Sequence, residues 1–86
     1  MYLHIGGEYQ ISTRYIIAIF DIDEITRENN LISLEFLSNI EKNKFLDIVS
    51  LEIPRSLIIT LDRNYLSPIS ADTLKQRIKN GIKNYY

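Results

Sequence analysis

Residues 56–82 read SLIITLDRNYLSPISADTLKQRIKNGI. Ser56 to Leu61 is apolar and β-branched, which suits the pleated, half-buried surface of a strand. Asp62-Arg63-Asn64 supplies turn residues. Tyr65 and Leu66 start a second short strand, and Pro68 ends it because proline cannot donate to a ladder. Ser70 is a good helix N-cap, with Asp72 favourable in the first turn. Leu74, Ile78 and Ile82 recur every four residues as one apolar stripe, and Lys75, Lys79 and Lys83 follow the same spacing on a neighbouring face. Gly81 weakens the last turns, and Tyr85-Tyr86 are expected to fray. Hairpins followed by a helix, rather than βαβ units, predict a mostly antiparallel sheet with helices packed on it.

Reading outward gives the remaining elements. Tyr2 to Ile5 and Tyr9 to Ile11 form a hairpin around Gly6-Gly7, where glycine supplies positive φ without steric cost. Ser12-Thr13 breaks the pattern. Tyr15 to Phe20 (YIIAIF) reads as a strand covered on both faces. Asp21 to Arg27 is an acidic connection, and a helix begins near Thr26 or Asn30. Leu31, Leu34, Leu37 and either Phe36 or Ile40 form its apolar face, and Glu41 to Lys44 end it. Phe45 to Glu52 (FLDIVSLE) reads as a further strand, bounded by Pro54. The expected fold class is α+β: one domain over residues 1–86, with about six short strands and two helices.

Composition narrows the function. A chain of 86 residues buries only part of its apolar surface, so oligomerisation is expected. With 45% apolar residues a core is feasible. There is no cysteine, which removes disulfides and thiolate metal sites and fits a reducing compartment. Met1 leads straight into Tyr2-Leu3-His4-Ile5 without a basic leader, and apolar runs are too short for a membrane span. A cytoplasmic location without membrane contact is the expectation.

Catalytic chemistry is sparse. His4 is the only histidine and lies in a strand, where a packed or surface role is commoner than a catalytic one. Asp21-x-Asp23-Glu24 lacks the further ligands and closing glutamate of a calcium loop and reads as a solvated acidic turn. The three glycines form no phosphate-cradling loop. Neither an enzyme nor a cofactor or small-molecule substrate is expected.

What remains are surfaces. Net charge is −1, mildly against general nucleic-acid binding. Its distribution is uneven: residues 20–52 sum to −5 and residues 53–86 to +4. Arg14, Arg55 and Arg63 suit either bidentate phosphate contacts or ion pairs between subunits. The Lys75, Lys79 and Lys83 stripe could track a phosphate backbone or simply be a solvated face that favours the helix C-terminus. The tyrosines at 2, 9, 15, 65, 85 and 86 fit either a subunit rim or ordinary sheet surface.

Four segments carry a family resemblance: MYLHIG (1–6), STRYIIAIFD (12–21), EFL (35–37) and PRSLIITLDRNYLSPISADTLKQR (54–77). The run Tyr65-x-Ser67-Pro68-Ile69-Ser70-x-x-Thr73-Leu74 is the most distinctive. In order and extent the chain resembles the Rem family of bacterial extracellular-matrix and biofilm regulators, its RemB-type branch in particular, with residues 22–53 matching least. The resemblance implies a LytTR-like fold, assembly into a ring, and DNA bound at the ring's outer surface. Arg14 and Arg55 match arginine positions of that family. The DNA-binding branch carries a dense arginine cluster where this chain reads Ile53-Pro54-Arg55-Ser56, so repetition of a single arginine around a ring would have to supply the affinity. The resulting expectation is a ring-forming transcriptional regulator that contacts double-stranded DNA through Arg14, Arg55, Arg63, Lys75, Lys79 and Lys83. The alternative is an oligomeric scaffold or protein-interaction partner without DNA affinity.

Overall fold

The computed structural model describes residues 1–27, 35, 38–39 and 46–85, with the side chains of 26–27 and 82–85 outside that description. Strands β1 (Tyr2–Gly6) and β2 (Tyr9–Ser12) form an antiparallel hairpin. Gly6 and Gly7 take φ of 121° and 54°, as the turn requires. The register slips between His4 and Gly6, so Ile5 has no opposite residue. A 3₁₀ turn over Thr13–Tyr15 leads into β3 (Ile16–Asp21). Helix α1 (Ile22–Arg27) follows, and then β4 (Leu46–Ile48), β5 (Ser56–Thr60), β6 (Asn64–Ser67) and helix α2 (Ala71–Tyr85).

The six strands among the described residues make two sheets rather than one. The hairpin is the first, and β3-β5-β6-β4 is the order of the second. Pairings β3–β5 and β5–β6 are antiparallel, whereas β4–β6 is parallel. The result is a small α+β fold with mostly antiparallel strands.

The core lies where the hairpin, the larger sheet and α2 meet. Leu3, Ile5, Val49, Ile58 and Leu74 are buried together, with Ile11, Ile16, Ile19, Tyr65, Ile69 and Ile78 packed against them. Burial of each large aliphatic chain contributes about 1.5–3 kcal/mol. Two buried hydroxyls tie the layers, and a third closes the turn between β5 and β6. Ser56 Oγ donates to Ile69 O at 2.7 Å, Ser67 Oγ donates to Ile5 O, and Thr60 Oγ1 donates to Asp62 Oδ1 at 3.0 Å. Ser70 caps α2 as read from the sequence, accepting from Thr73 N–H at 3.2 Å.

Three sequence expectations shift. The strand covered on both faces is β5, not YIIAIF. Strand β5 has neighbours on either side and is buried at four of its five positions, while β3 is an edge strand that exposes Ile17 and Phe20. Residues 22–27, expected within an acidic connection, form a helix, because Asp21 Oδ1 accepts from the N–H groups of Asp23 and Glu24 at 2.9 and 3.3 Å and caps it; the expected helix start near Asn30 lies outside the described residues. The FLDIVSLE strand stops at Ile48, since Val49 is drawn inward and Ser50 Oγ turns the chain by accepting from Glu52 N–H. The apolar face expected at Leu31, Leu34, Phe36, Leu37 and Ile40 lies outside the described residues, as do Glu41 to Lys44.

Candidate functional site

Arg55 stands on a rigid mount. Its N–H donates to Ser67 O at 2.8 Å, and its carbonyl accepts from Ile22 N–H at 3.1 Å. These two bonds hold it between β6 and the start of α1, while the residue is exposed. Arg14 occupies the 3₁₀ turn, where its N–H donates to Ser12 Oγ at 3.4 Å, and it too is exposed. Neither side chain makes an ion pair among the described residues.

Arg63 differs. Its guanidinium donates to Asp47 Oδ1 at 2.7 Å, linking the β5–β6 turn to β4. Its charge is partly compensated within the fold, so it is the weakest of the three arginines as a free anion contact.

The three arginines do not converge. Leu61 N–H donates to Tyr15 O at 3.0 Å, which puts Arg14 and Arg63 at one end of the larger sheet. Arg55 is at the other end, about 20 Å away along β5 at the usual rise per strand residue.

Helix α2 connects those ends. Its first turn lies by Ser56, through the Ser56–Ile69 bond, and Gly81 lies against the side chain of Met1, whose carbonyl accepts from Thr13 N–H beside Arg14. Ala71 and Leu74 are buried, Ile78 is half-buried, and Lys75 and Lys79 are exposed. Arg77 Nη1 donates to His4 O at 3.1 Å, which identifies the flank facing the hairpin. At 100° per residue, Lys75 and Lys79 lie about 160° around the helix from Arg77. They therefore stand together on the opposite flank. The side chain of Lys83 lies outside the described residues.

Sequence reasoning missed Arg77, which lies off the four-residue stripe and is positioned by the long-range approach of β1. It also missed that the tyrosines gather. Tyr2, Tyr15 and Tyr65 line one cleft, and Tyr9 meets Tyr65 edge-on at 6.2 Å between ring centres. Burial, then Asp62 and Asp47, push the Tyr65 phenol above its usual range. Among the described residues no three His, Asp or Glu side chains cluster as metal ligands, and no helix is long and apolar enough to cross a membrane.

Residues 2–78 match the family described as RemA-like, extracellular matrix regulatory protein A-like. The chain belongs to the RemA-like family. It is also 38% identical over 77 residues to extracellular matrix regulatory protein B of Bacillus subtilis (strain 168), covering 90% of this chain and 89% of that protein. The RemA-like match takes in all six strands and α2 as far as Ile78. Arg14, Arg55, Arg63 and Lys75 thus fall inside the RemA-like region, whereas Lys79 and Lys83 lie beyond it.

Proposed function

We propose that this RemA-like chain is a cytoplasmic, non-catalytic regulator of extracellular-matrix and biofilm genes that binds double-stranded DNA as a closed homo-oligomeric ring. The observation that carries the DNA reading is Arg55, an exposed guanidinium on a backbone held from both sides. A planar guanidinium fork suits phosphate oxygens, and the fixed backbone beneath it reduces what must be ordered on binding. Arg14 and the Lys75–Lys79 flank add further positive charge along the span that α2 bridges, and Arg63 contributes less because Asp47 already engages it.

Support for a ring comes from the sheet order. Strands β3 and β4 are opposite edges, and each carries exposed apolar residues. At the β3 side Ile17 and Leu61 are exposed; at the β4 side Ile48, Leu51 and Ile53 are 65%, 107% and 85% exposed. Two different apolar surfaces at opposite ends suit head-to-tail contacts, which close into rings when the rotation permits. Repetition then multiplies one Arg55 per subunit into a multivalent phosphate surface. The same apolar edges, with an acidic chain of pI about 5.7, favour a second reading as an oligomeric scaffold without DNA affinity.

Light scattering on a gel-filtration column gives the assembly, and fluorescence anisotropy of a labelled duplex at two salt concentrations gives the binding. Arg55→Ala should weaken binding and lower the salt slope by about one for each contacting subunit. A monomer would defeat the ring, and an oligomer that ignores DNA at low salt would leave the scaffold reading.

A further inference from the structure

Six tyrosines are spread along the sequence, and the fold brings three of them to one cleft. Tyr2 comes from β1, Tyr15 from the 3₁₀ turn and Tyr65 from β6. Gln10, Ile11, Ser12, Thr60 and Asp62 complete the lining of a cavity of about 220 Å³. This lining contains one carboxylate and no cationic side chain. Arg63, the neighbour of Asp62, is turned to Asp47. Both hydrogen bonds at Asp62 fall on Oδ1, from Thr60 Oγ1 and from Arg63 N–H at 3.0 Å each. Oδ2 therefore remains available among the described residues.

We propose that this cleft binds a guanidinium or alkylammonium group, with Asp62 Oδ2 as counter-ion and Tyr2, Tyr15 and Tyr65 as aromatic walls. Phenol rings attract cations through their quadrupoles, and a nearby carboxylate adds direct Coulomb attraction. An anion is disfavoured, because it would meet Asp62 with no compensating cation in the lining. The Tyr65 phenol is raised first by burial and then by Asp62 and Asp47, and those two carboxylates oppose a further negative charge there. Tyr65 is braced from outside by the Tyr9 ring, so one wall is fixed before anything binds. The site takes a few heavy atoms at the end of a chain. Such a group could arrive on a free organic cation or on an arginine or lysine side chain of a protein.

The test is amide-shift mapping of the intact, ¹⁵N-labelled chain with three probes. These are agmatine as a free cation, a blocked Gly-Arg-Gly peptide as a side chain, and the matching Gly-citrulline-Gly peptide as a neutral isostere. The expected result is saturable shifts at Gln10, Ile11, Thr60, Asp62 and Tyr65 with a cation and none with the isostere. Asp62→Asn keeps the Oδ1 acceptor for Thr60 and Arg63, so the turn survives while the charge is lost; it should weaken binding about fivefold or more. Tyr15→Leu, at an exposed position, should weaken it about two- to fivefold. Binding of both cations supports the proposal, and preference for agmatine or for the peptide identifies the source. Equal shifts with the citrulline peptide, shifts confined elsewhere, or binding unchanged in Asp62→Asn and Tyr15→Leu would overturn it. So would silence of the cleft amides at about 10 mM probe, a concentration that detects even weak sites.

Discussion

Replacing Ser67 by alanine removes the hydroxyl that joins the two sheets. Ser67 is fully buried, and its Oγ both donates to Ile5 O and accepts from Ile69 N–H at 3.0 Å. Ile5 is itself fully buried and sits at the register slip, where the hairpin offers it no opposite residue. Its carbonyl would be left in an apolar setting, which costs about 1–3 kcal/mol. The Ile69 N–H is only partly buried, and its loss adds about 1 kcal/mol or less. The two together come to about 1–4 kcal/mol, centred near 2–3, a large share of the roughly 5–15 kcal/mol that holds a domain folded. For a chain of this size each kcal/mol is worth about 4–8 °C in Tm, so the centre of that range gives an expected drop of about 8 °C or more. Thermal unfolding followed by circular dichroism measures it, at one protein concentration because assembly would raise Tm with concentration. Ser70→Ala is the reference: it deletes a partly exposed N-cap and should cost about 1 kcal/mol. A Ser67→Ala drop no larger than that of Ser70→Ala would refute the reasoning that the buried hydroxyl couples the sheets.

Other substitutions separate strain, surface charge and titration. Gly6→Ala should destabilise by about 1–3 kcal/mol, because φ is 121° and the new Cβ would meet Pro68 Cδ at 3.0 Å; an unchanged urea midpoint would contradict the strain. Arg63→Ala should cost only about 0.2–1 kcal/mol, shrinking further in high salt, because the Arg63–Asp47 pair is solvent-accessible; a larger, salt-insensitive loss would show that the bridge matters more than its exposure allows. The Tyr65 phenol is raised by burial and by Asp62 and Asp47, so the fold favours its neutral form. That contribution is complete below the unfolded tyrosine value of about 10 and declines as pH climbs through the higher folded value. Tyr65→Phe should therefore flatten the alkaline limb of the stability curve, and superimposable limbs would rule Tyr65 out as its source.

Local chemistry carried much of the fold into plain view. Glycine at 6 and 7, proline at 68 and the Ser70 cap are decided by φ, a missing N–H and a nearby acceptor, all of which act within a few residues. The hairpins, the start of α2 and its Leu74–Ile78 stripe were readable for that reason. The YIIAIF run misled because hydrophobicity alone does not say whether a strand lies inside a sheet or at its edge; only the order β3-β5-β6-β4 does. The division into two sheets, the parallel β4–β6 pair and the Ser67–Ile5 bond likewise join residues far apart in sequence.

The candidate surfaces divide in the same way. Side-chain charge and helical spacing were enough to nominate Arg14, Arg55, Arg63, Lys75 and Lys79. Spacing could not reveal that Asp47 engages Arg63, that Arg77 turns to the opposite flank, or that Arg14 and Arg55 stand at opposite ends of one sheet. Nor could it bring Tyr2, Tyr15 and Tyr65 to one cleft beside Asp62. The sequence by itself determined which residues could form strands, turns and caps, because those preferences are local. The tertiary structure alone decided which charges are compensated and which rings share a cavity, because Coulomb attraction and packing depend on distance in space rather than separation along the chain.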